Sequence, residues 1–91
     1  MKLATIRNGD VISMAQNLPR RAKLKISVWL KLPNEVAPRR TDMTPDGYFN
    51  VRAFLGDAEN LKQYIDVFMD SQGIKEGDMC ESYGVDVYRL R

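Results

Sequence analysis

The sequence predicts a small α+β domain with one helix packed on an antiparallel sheet of four to five strands. Three observations predict this class. Several segments alternate apolar and polar residues with the period of a strand, one segment has the period of an amphipathic helix, and turns containing glycine or proline separate them. The order of elements is β-β-β-β-α-β. A five-stranded OB-like barrel with a helix before its last strand fits this order as well as an open sheet does.

The length and composition fit one compact domain covering residues 1–91. A chain of 91 residues with 44% hydrophobic residues has enough material for one core, because a domain of this size buries roughly 60–65% of the surface of its unfolded chain. The longest apolar run is far shorter than the roughly 20 residues of a membrane span, and the N-terminal residues lack the apolar core of a signal peptide. We therefore expect a cytoplasmic protein that does not contact a membrane.

The first two strands are predicted to form a hairpin. Lys2 to Arg7 reads as a strand, and Asn8-Gly9 is typical of a type I′ turn, which needs positive φ at both central residues. Residues 11–18 have a helical spacing of apolar residues, yet the β-branched start and the preceding turn favour a strand. We favour the strand, which Pro19 ends because proline lacks an amide hydrogen.

The central strand, Lys23 to Leu32, has an aliphatic face and a face of basic, polar and aromatic residues, because successive side chains of a strand point to opposite sides. One face is aliphatic, with Leu24, Ile26, Val28, Leu30 and Leu32. The other face carries Lys23, Lys25, Ser27, Trp29 and Lys31, which include the only tryptophan of the chain. A strand that buries the aliphatic face exposes the lysines and the tryptophan to solvent.

The chain from Pro33 to Gly47 is predicted to be a long proline-rich loop without periodicity, closed by a turn at Pro45-Asp46-Gly47. Such loops are uncommon in small domains and are often functional or mobile. Tyr48 to Leu55 then alternates as a strand that pairs antiparallel with the central strand. In that pairing the outer sheet face collects Lys25, Trp29, Lys31, Tyr48, Arg52 and Phe54.

The predicted helix runs from Ala58 to Ser71, with Asp57 as its N-cap and Gly73 as the C′ residue. Its apolar face repeats at helical spacing through Leu61, Tyr64, Ile65, Phe68 and Met69. Its opposite face is polar and acidic, with Glu59, Gln63, Asp66 and Asp70. A closing strand is predicted from Val85 to Leu90.

Residue counts exclude several kinds of chemistry. The chain has no histidine and one cysteine, Cys80, which excludes an intrachain disulfide, a Cys/His zinc site and a histidine-based catalytic dyad. No glycine-rich phosphate-binding loop is present. We therefore predict a non-enzymatic protein with no catalytic residues, no cofactor and no metal site. We interpret Cys80 as a small buried hydrophobe, and the acidic residues Asp66, Asp70, Glu76, Asp78 and Glu81 as solvated charges.

Charge divides the chain into two halves. Residues 1–41 contain nine Lys and Arg against two acidic residues, a net charge of +7, whereas residues 42–91 contain five against ten, a net charge of −5. A domain with such a charge dipole can steer a charged partner onto one face.

The basic and aromatic sheet face predicts binding of single-stranded DNA or RNA with little sequence specificity. Unpaired bases stack on aromatic rings while lysine and arginine neutralise phosphates. Trp29, Tyr48 and Phe54 would stack on bases, and Lys25, Lys31 and Arg52 would contact phosphates. Four further arginines would extend this line of phosphate-binding residues, which we call the track: Arg20, Arg21, Arg39 and Arg40.

The alternative function is that of a small inhibitor or modulator of a larger protein. An aromatic and basic patch is also typical of a protein interface, and the acidic helix face can mimic nucleic acid toward a nucleic-acid enzyme. Short single-domain chains with strong charge division and no catalytic motif are typical of phage accessory proteins. A homodimer fits either function, because pairing would extend the track or bury the patch.

Overall fold

A computed structural model describes residues 1–75 and 80–90 of the chain. Its elements are β1 (Lys2–Arg7), β2 (Asp10–Met14), β3 (Arg21–Lys31), β4 (Arg39–Met43), β5 (Phe49–Asn50), α1 (Val51–Gly56), α2 (Ala58–Ser71) and β6 (Ser82–Leu90). The α+β class and the antiparallel sheet are confirmed, and the bounds predicted for β1 and α2 agree with those observed.

The sheet is open. Its strand order is β2-β1-β6-β3-β4, with β5 paired to the start of β3, and every pair is antiparallel. β6 lies in the centre between the two long-range partners β1 and β3. Since β2 and β4 lie at opposite edges and do not pair with each other in the described ranges, the sheet does not close into an OB-like barrel.

The predicted hairpin turn is confirmed, with φ of 52° at Asn8 and 86° at Gly9. Asn8 also fastens the turn to β6, because its backbone N–H donates to the Tyr83 carbonyl (2.9 Å) and its Oδ1 accepts from the Tyr83 N–H (3.0 Å). The segment after the turn is a strand as far as Met14, so the strand interpretation is right for that part and the helical one is wrong.

The predicted strand from Tyr48 to Leu55 is wrong beyond Asn50, where α1 begins. The Asn50 side chain caps the helix by accepting a hydrogen bond from the Ala53 N–H at 3.0 Å. Val51, Phe54 and Leu55 are all buried in the core. Their spacing of i, i+3 and i+4 is that of a helix face, which the overlapping alternation concealed.

The predicted loop at 33–47 contains strand β4, which pairs with residues 26–30 of β3. An ion pair fixes the connection before β4, with the Arg39 guanidinium 2.8 Å from the Glu35 carboxylate. The hydrogen bond from Arg39 holds the pKa of Glu35 below its ordinary value, and the same bond raises the pKa of Arg39. This part of the chain is therefore an ordered hairpin connection with an edge strand.

The core lies between the sheet and both helices. The aliphatic residues of β3, with Val85 and Val87 of β6, share one buried cluster with the apolar residues of α1 and α2. Asp57 caps α2 through the Asn60 N–H at 3.1 Å, and Gly73 follows the helix with φ of 71°, both as predicted. Cys80 is half-buried against this core. Neither helix in the described ranges is long and apolar enough to cross a membrane.

Candidate functional site

The sheet face opposite the helices carries no helix in the described ranges, and we call it the open face. Alternation along β3 and cross-strand pairing define it, because residues directly opposite each other in an antiparallel pair point to the same side. Its members are Lys2, Thr5, Arg7, Asp10, Ser13, Lys23, Lys25, Ser27, Trp29, Lys31, Arg40, Asp42, Ser82, Gly84, Asp86 and Tyr88. Both helices bury the aliphatic face, so the open face is the side of the sheet that they leave uncovered.

Trp29 lies near the middle of the open face and packs across Gly84 of β6. The two residues are cross-strand partners, and a Cβ atom at position 84 would lie 2.5 Å from Cζ2 of the indole. Glycine therefore provides the space that the ring occupies. Trp29 remains only half-buried, so part of the indole stays available to a ligand.

Tyr88 is a second aromatic residue on the open face. It is the cross-strand partner of Lys25, whose Nζ lies 4.8 Å from the centre of the tyrosine ring, and Lys2 Nζ lies 6.0 Å from the same ring. Both distances are within the range of cation–π attraction. The ring and the two ammonium groups thus form one basic and aromatic unit.

A buried carboxylate in the middle of this face binds the side chains around it. Asp86 is only 5% exposed and accepts hydrogen bonds from Thr5 Oγ1 and Arg40 Nη1, each at 3.0 Å. Arg40 also donates to Ser27 Oγ at 3.0 Å, and Lys2 Nζ lies 3.8 Å from the carboxylate. These contacts fix the Arg40 guanidinium over the sheet.

The cations of the open face outnumber its carboxylates. The cations are Lys2, Arg7, Lys23, Lys25, Lys31 and Arg40, against Asp10, Asp42 and Asp86. Lys31 is also paired with Glu81 at 2.8 Å, at the end of the face. The remaining excess of positive charge lies on both sides of Trp29.

The structure brings part of the predicted site together. Lys25, Trp29, Lys31 and Arg40 share the open face. Tyr48 is 63% exposed and lies at the edge of this face, with Lys23 Nζ 5.5 Å from the centre of its ring.

Phe54 does not lie on the open face, where we predicted it. It is buried in α1, and the centre of its ring lies 5.3 Å from that of Phe49, in a T-shaped geometry. The centre of the Tyr64 ring lies 6.2 Å away. Arg52 is exposed on α1, a helix that packs on the aliphatic side of the sheet. Both positions differ from the prediction because the segment is a helix, in which successive residues do not alternate between two faces.

The remaining arginines divide between the two sides of the sheet. Arg39 pairs with Leu30 of the aliphatic face and bonds to Glu35 and to Gln72 Oε1 (3.2 Å) after α2, so it lies on the helix side. Arg20 and Arg21 are exposed at the start of β3, where Arg21 pairs with Asn50. Arg39 therefore does not extend the track, whereas Arg21 lies in line with the residues of the open face.

The sequence prediction missed Tyr88, Lys2 and Asp86 as members of this site. Alternation in the closing strand places Asp86 and Tyr88 on one face and Val85 and Val87 on the other. The sequence alone could therefore have predicted that Asp86 and Tyr88 face away from the core. That they lie beside Lys25 and Trp29 depends on β3 pairing with β6, and nothing in the local sequence specifies this pairing.

In the described ranges no group of three or more histidine, cysteine, aspartate or glutamate residues is placed to hold a metal ion. Of the acidic residues considered above, Glu76 and Asp78 lie outside those ranges. No known protein-family model matches the chain, and no curated protein or solved structure is significantly similar to it. Inference about function therefore rests on the open face.

Proposed function

We propose that this protein is a non-enzymatic, single-stranded nucleic-acid-binding protein and that the open face is its binding surface. One observation carries the proposal. The sheet face without helices combines a half-exposed Trp29 in the middle with Tyr88 and a surplus of lysine and arginine around it. A flat surface with both rings and cations suits an unpaired strand, which offers base faces and phosphates together.

The two rings would contact different bases. Gly84, beneath Trp29, and Tyr88 are four residues apart on β6, which corresponds to about 13 Å along the strand. Stacking on each ring contributes about 1–3 kcal/mol per base and does not depend on base identity. Low sequence specificity follows, because the contacts with the bases are stacking contacts.

The cations would neutralise the phosphates between the stacked bases. Lys25 and Lys31 are the cross-strand partners of Tyr88 and Ser82, so they lie on either side of Trp29 along the strand. Arg40 is held beside them by Asp86. A duplex cannot make these contacts without unstacking, because its base faces are covered by neighbouring base pairs.

The test is a titration of a fluorescein-labelled 20-nucleotide oligonucleotide with the protein at several salt concentrations, following anisotropy and Trp29 emission. If about five phosphates are neutralised, log K falls against log[salt] with a slope near −3.5. Trp29→Ala should weaken binding by about 1–3 kcal/mol. Lys25→Gln should reduce the steepness of the slope by about 0.7.

Arg52→Gln is the matched control for Lys25→Gln, because it removes the same charge from α1 on the other side of the sheet. It should leave the slope nearly unchanged, and the oligonucleotide should still quench Trp29 emission, as expected when a base stacks on the indole. Absence of binding at low salt, or equal effects of the two substitutions, would refute the open face as the site.

A further inference from the structure

Strand β2 is an edge strand whose side chains lack the features that usually prevent an edge from pairing with another strand. It pairs with β1 on one side and has no partner strand on its other side in the described ranges. All five of its residues are exposed, and Val11, Ile12 and Met14 are 51%, 58% and 47% exposed. Unpaired edges normally carry lysine, proline or inward-pointing charges that prevent further pairing. On β2 the only charged residue is Asp10, next to the turn.

The opposite edge shows the contrast. β4 carries Arg39, Arg40 and Asp42, and both arginines are fixed by hydrogen bonds to neighbouring side chains. An edge of this kind resists pairing with another strand. The two edges of one sheet therefore differ, and only the β2 edge combines free backbone groups with exposed apolar side chains.

A groove lies beside β2 on the helix side of the sheet. Its volume is about 410 Å³, which is within the range of binding pockets. Apolar side chains line most of it, including Ile6 and Val11 of the hairpin and Leu61 and Ile65 of α2. The groove thus begins at the edge strand and ends at the helix.

Among the described residues that line the groove, Lys62 is the only charged one. Its ammonium group makes no hydrogen bond or ion pair with residues 1–75 or 80–90. A segment bound here therefore meets the outer backbone edge of β2, an apolar pocket and the ammonium group of Lys62. These features are complementary to an extended peptide that carries an apolar and an acidic side chain.

We propose that β2 and this groove bind an extended peptide segment of a partner protein. The segment pairs with β2 as an additional strand, places an apolar side chain in the groove and directs a carboxylate toward Lys62. Backbone hydrogen bonds would supply affinity, and the groove and Lys62 would supply specificity. The surface lies on the helix side, so this inference is independent of nucleic-acid binding on the open face.

The probe is a fluorescein-labelled alternating peptide, Thr-Val-Thr-Glu-Thr-Val-Thr-Glu, whose apolar and acidic side chains share one face of an extended strand, titrated with the full chain. A small strand-addition interface predicts weak binding, with Kd of roughly 10–100 μM. Backbone amide shifts on binding should concentrate in residues 10–14. A peptide with proline at its fifth position should bind at least tenfold more weakly, because proline cannot donate to the ladder.

Matched variants separate the charge contact from general electrostatics. Lys62→Gln and Gln63→Glu each lower the net charge by one on adjacent residues of α2, but only Lys62 lines the groove. Lys62→Gln should weaken peptide binding about threefold to fivefold, and Gln63→Glu should not. Trp29→Ala should leave peptide affinity unchanged, whether or not the open face binds nucleic acid.

Three results would overturn the proposal. The first is no binding of the alternating peptide up to about 1 mM. The second is equal binding of the proline peptide together with equal effects of the two charge variants. The third is self-association of the protein in sedimentation experiments that Ile12→Lys abolishes, which would show that a second copy of the chain covers β2.

Discussion

At position 84 the sheet has space for a hydrogen atom and nothing larger. A Cβ there would lie 2.5 Å from the Ile6 carbonyl oxygen and 2.5 Å from Cζ2 of Trp29. The carbonyl belongs to β1, the partner strand of β6, so it cannot move without disturbing that ladder. The contact with the indole adds a second constraint from β3. Gly84 is therefore required for packing on both neighbouring strands.

We predict that Gly84→Ala destabilises the protein by about 1–3 kcal/mol, because the added methyl group overpacks the sheet. Urea unfolding followed by circular dichroism measures this change. Gly56→Ala is the control, since a Cβ at position 56 meets nothing within 4 Å, and it should not lower stability. Equal stability of Gly84→Ala and the wild-type protein would contradict the packing described here.

At this scale the sequence predicted the residues whose environment is set by their own strand. Trp29 and Lys25 were placed correctly because alternation along one strand fixes the face of every residue. Gly84 gave no signal, since its role depends on which residue lies across from it in β3. Phe54 was misplaced because its neighbours fit both a strand and a helix, and the Asn50 cap decided between them.

Among the elements, α1 and α2 depend on one shared residue. Asp57 follows the last residue of α1, where its N–H donates to the Phe54 carbonyl at 3.3 Å, and its side chain caps α2. We predict that Asp57→Ala lowers stability by about 1 kcal/mol through loss of the cap. Thermal unfolding measures this loss.

Asp66→Ala is the control for that substitution, because Asp66 is exposed on the outer face of α2 and caps nothing. It removes the same charge from the same helix. A loss of stability as large as that of Asp57→Ala would indicate that charge, and not the cap, determines the effect.

Elements with a strong periodic pattern were predictable, and polar or short elements were not. α2 combines an apolar face with a cap at each end, so its bounds were predicted correctly. β4 is an edge strand with the sequence Arg-Arg-Thr-Asp-Met, which lacks an apolar face of its own. It is a strand because β3 offers a free edge over residues 26–30, and such a tertiary cause is absent from the local sequence.

For the whole molecule, the division of charge along the chain becomes a division between two sides of the sheet. The open face carries most cations of the first half, and the exposed side of α2 carries Glu59, Asp66 and Asp70. A polyanion would therefore be attracted to one side and repelled from the other. This asymmetry could be anticipated from the sequence only as a net charge per half.

We predict that Asp86→Asn strengthens oligonucleotide binding while it lowers stability. The substitution removes a carboxylate from the open face, so the field that attracts phosphates increases. It also weakens charged hydrogen bonds to Arg40 and Thr5, which should cost about 1–3 kcal/mol. Anisotropy titration and urea unfolding of the same preparation measure the two effects.

Asp42→Asn separates these effects, since Asp42 lies on the same face but is exposed and has no hydrogen bond or ion pair in the described ranges. It should strengthen binding without loss of stability. If folded Asp86→Asn protein bound the oligonucleotide more weakly than the wild type, the loss of the contact that positions Arg40 would outweigh the gain in positive field.

The central position of β6 also has a consequence for synthesis of the protein. β3 pairs with residues 82–90 and β1 with residues 84–88, and this segment is synthesised after all the other elements described above. Until then the nascent chain can form the β1–β2 and β3–β4 hairpins and the helices, but β1 and β3 each keep one unpaired edge. Folding of the sheet is thus delayed by long-range pairing. Until β6 pairs with them, β1 and β3 expose strand edges that are prone to aggregation and that a chaperone would need to shield.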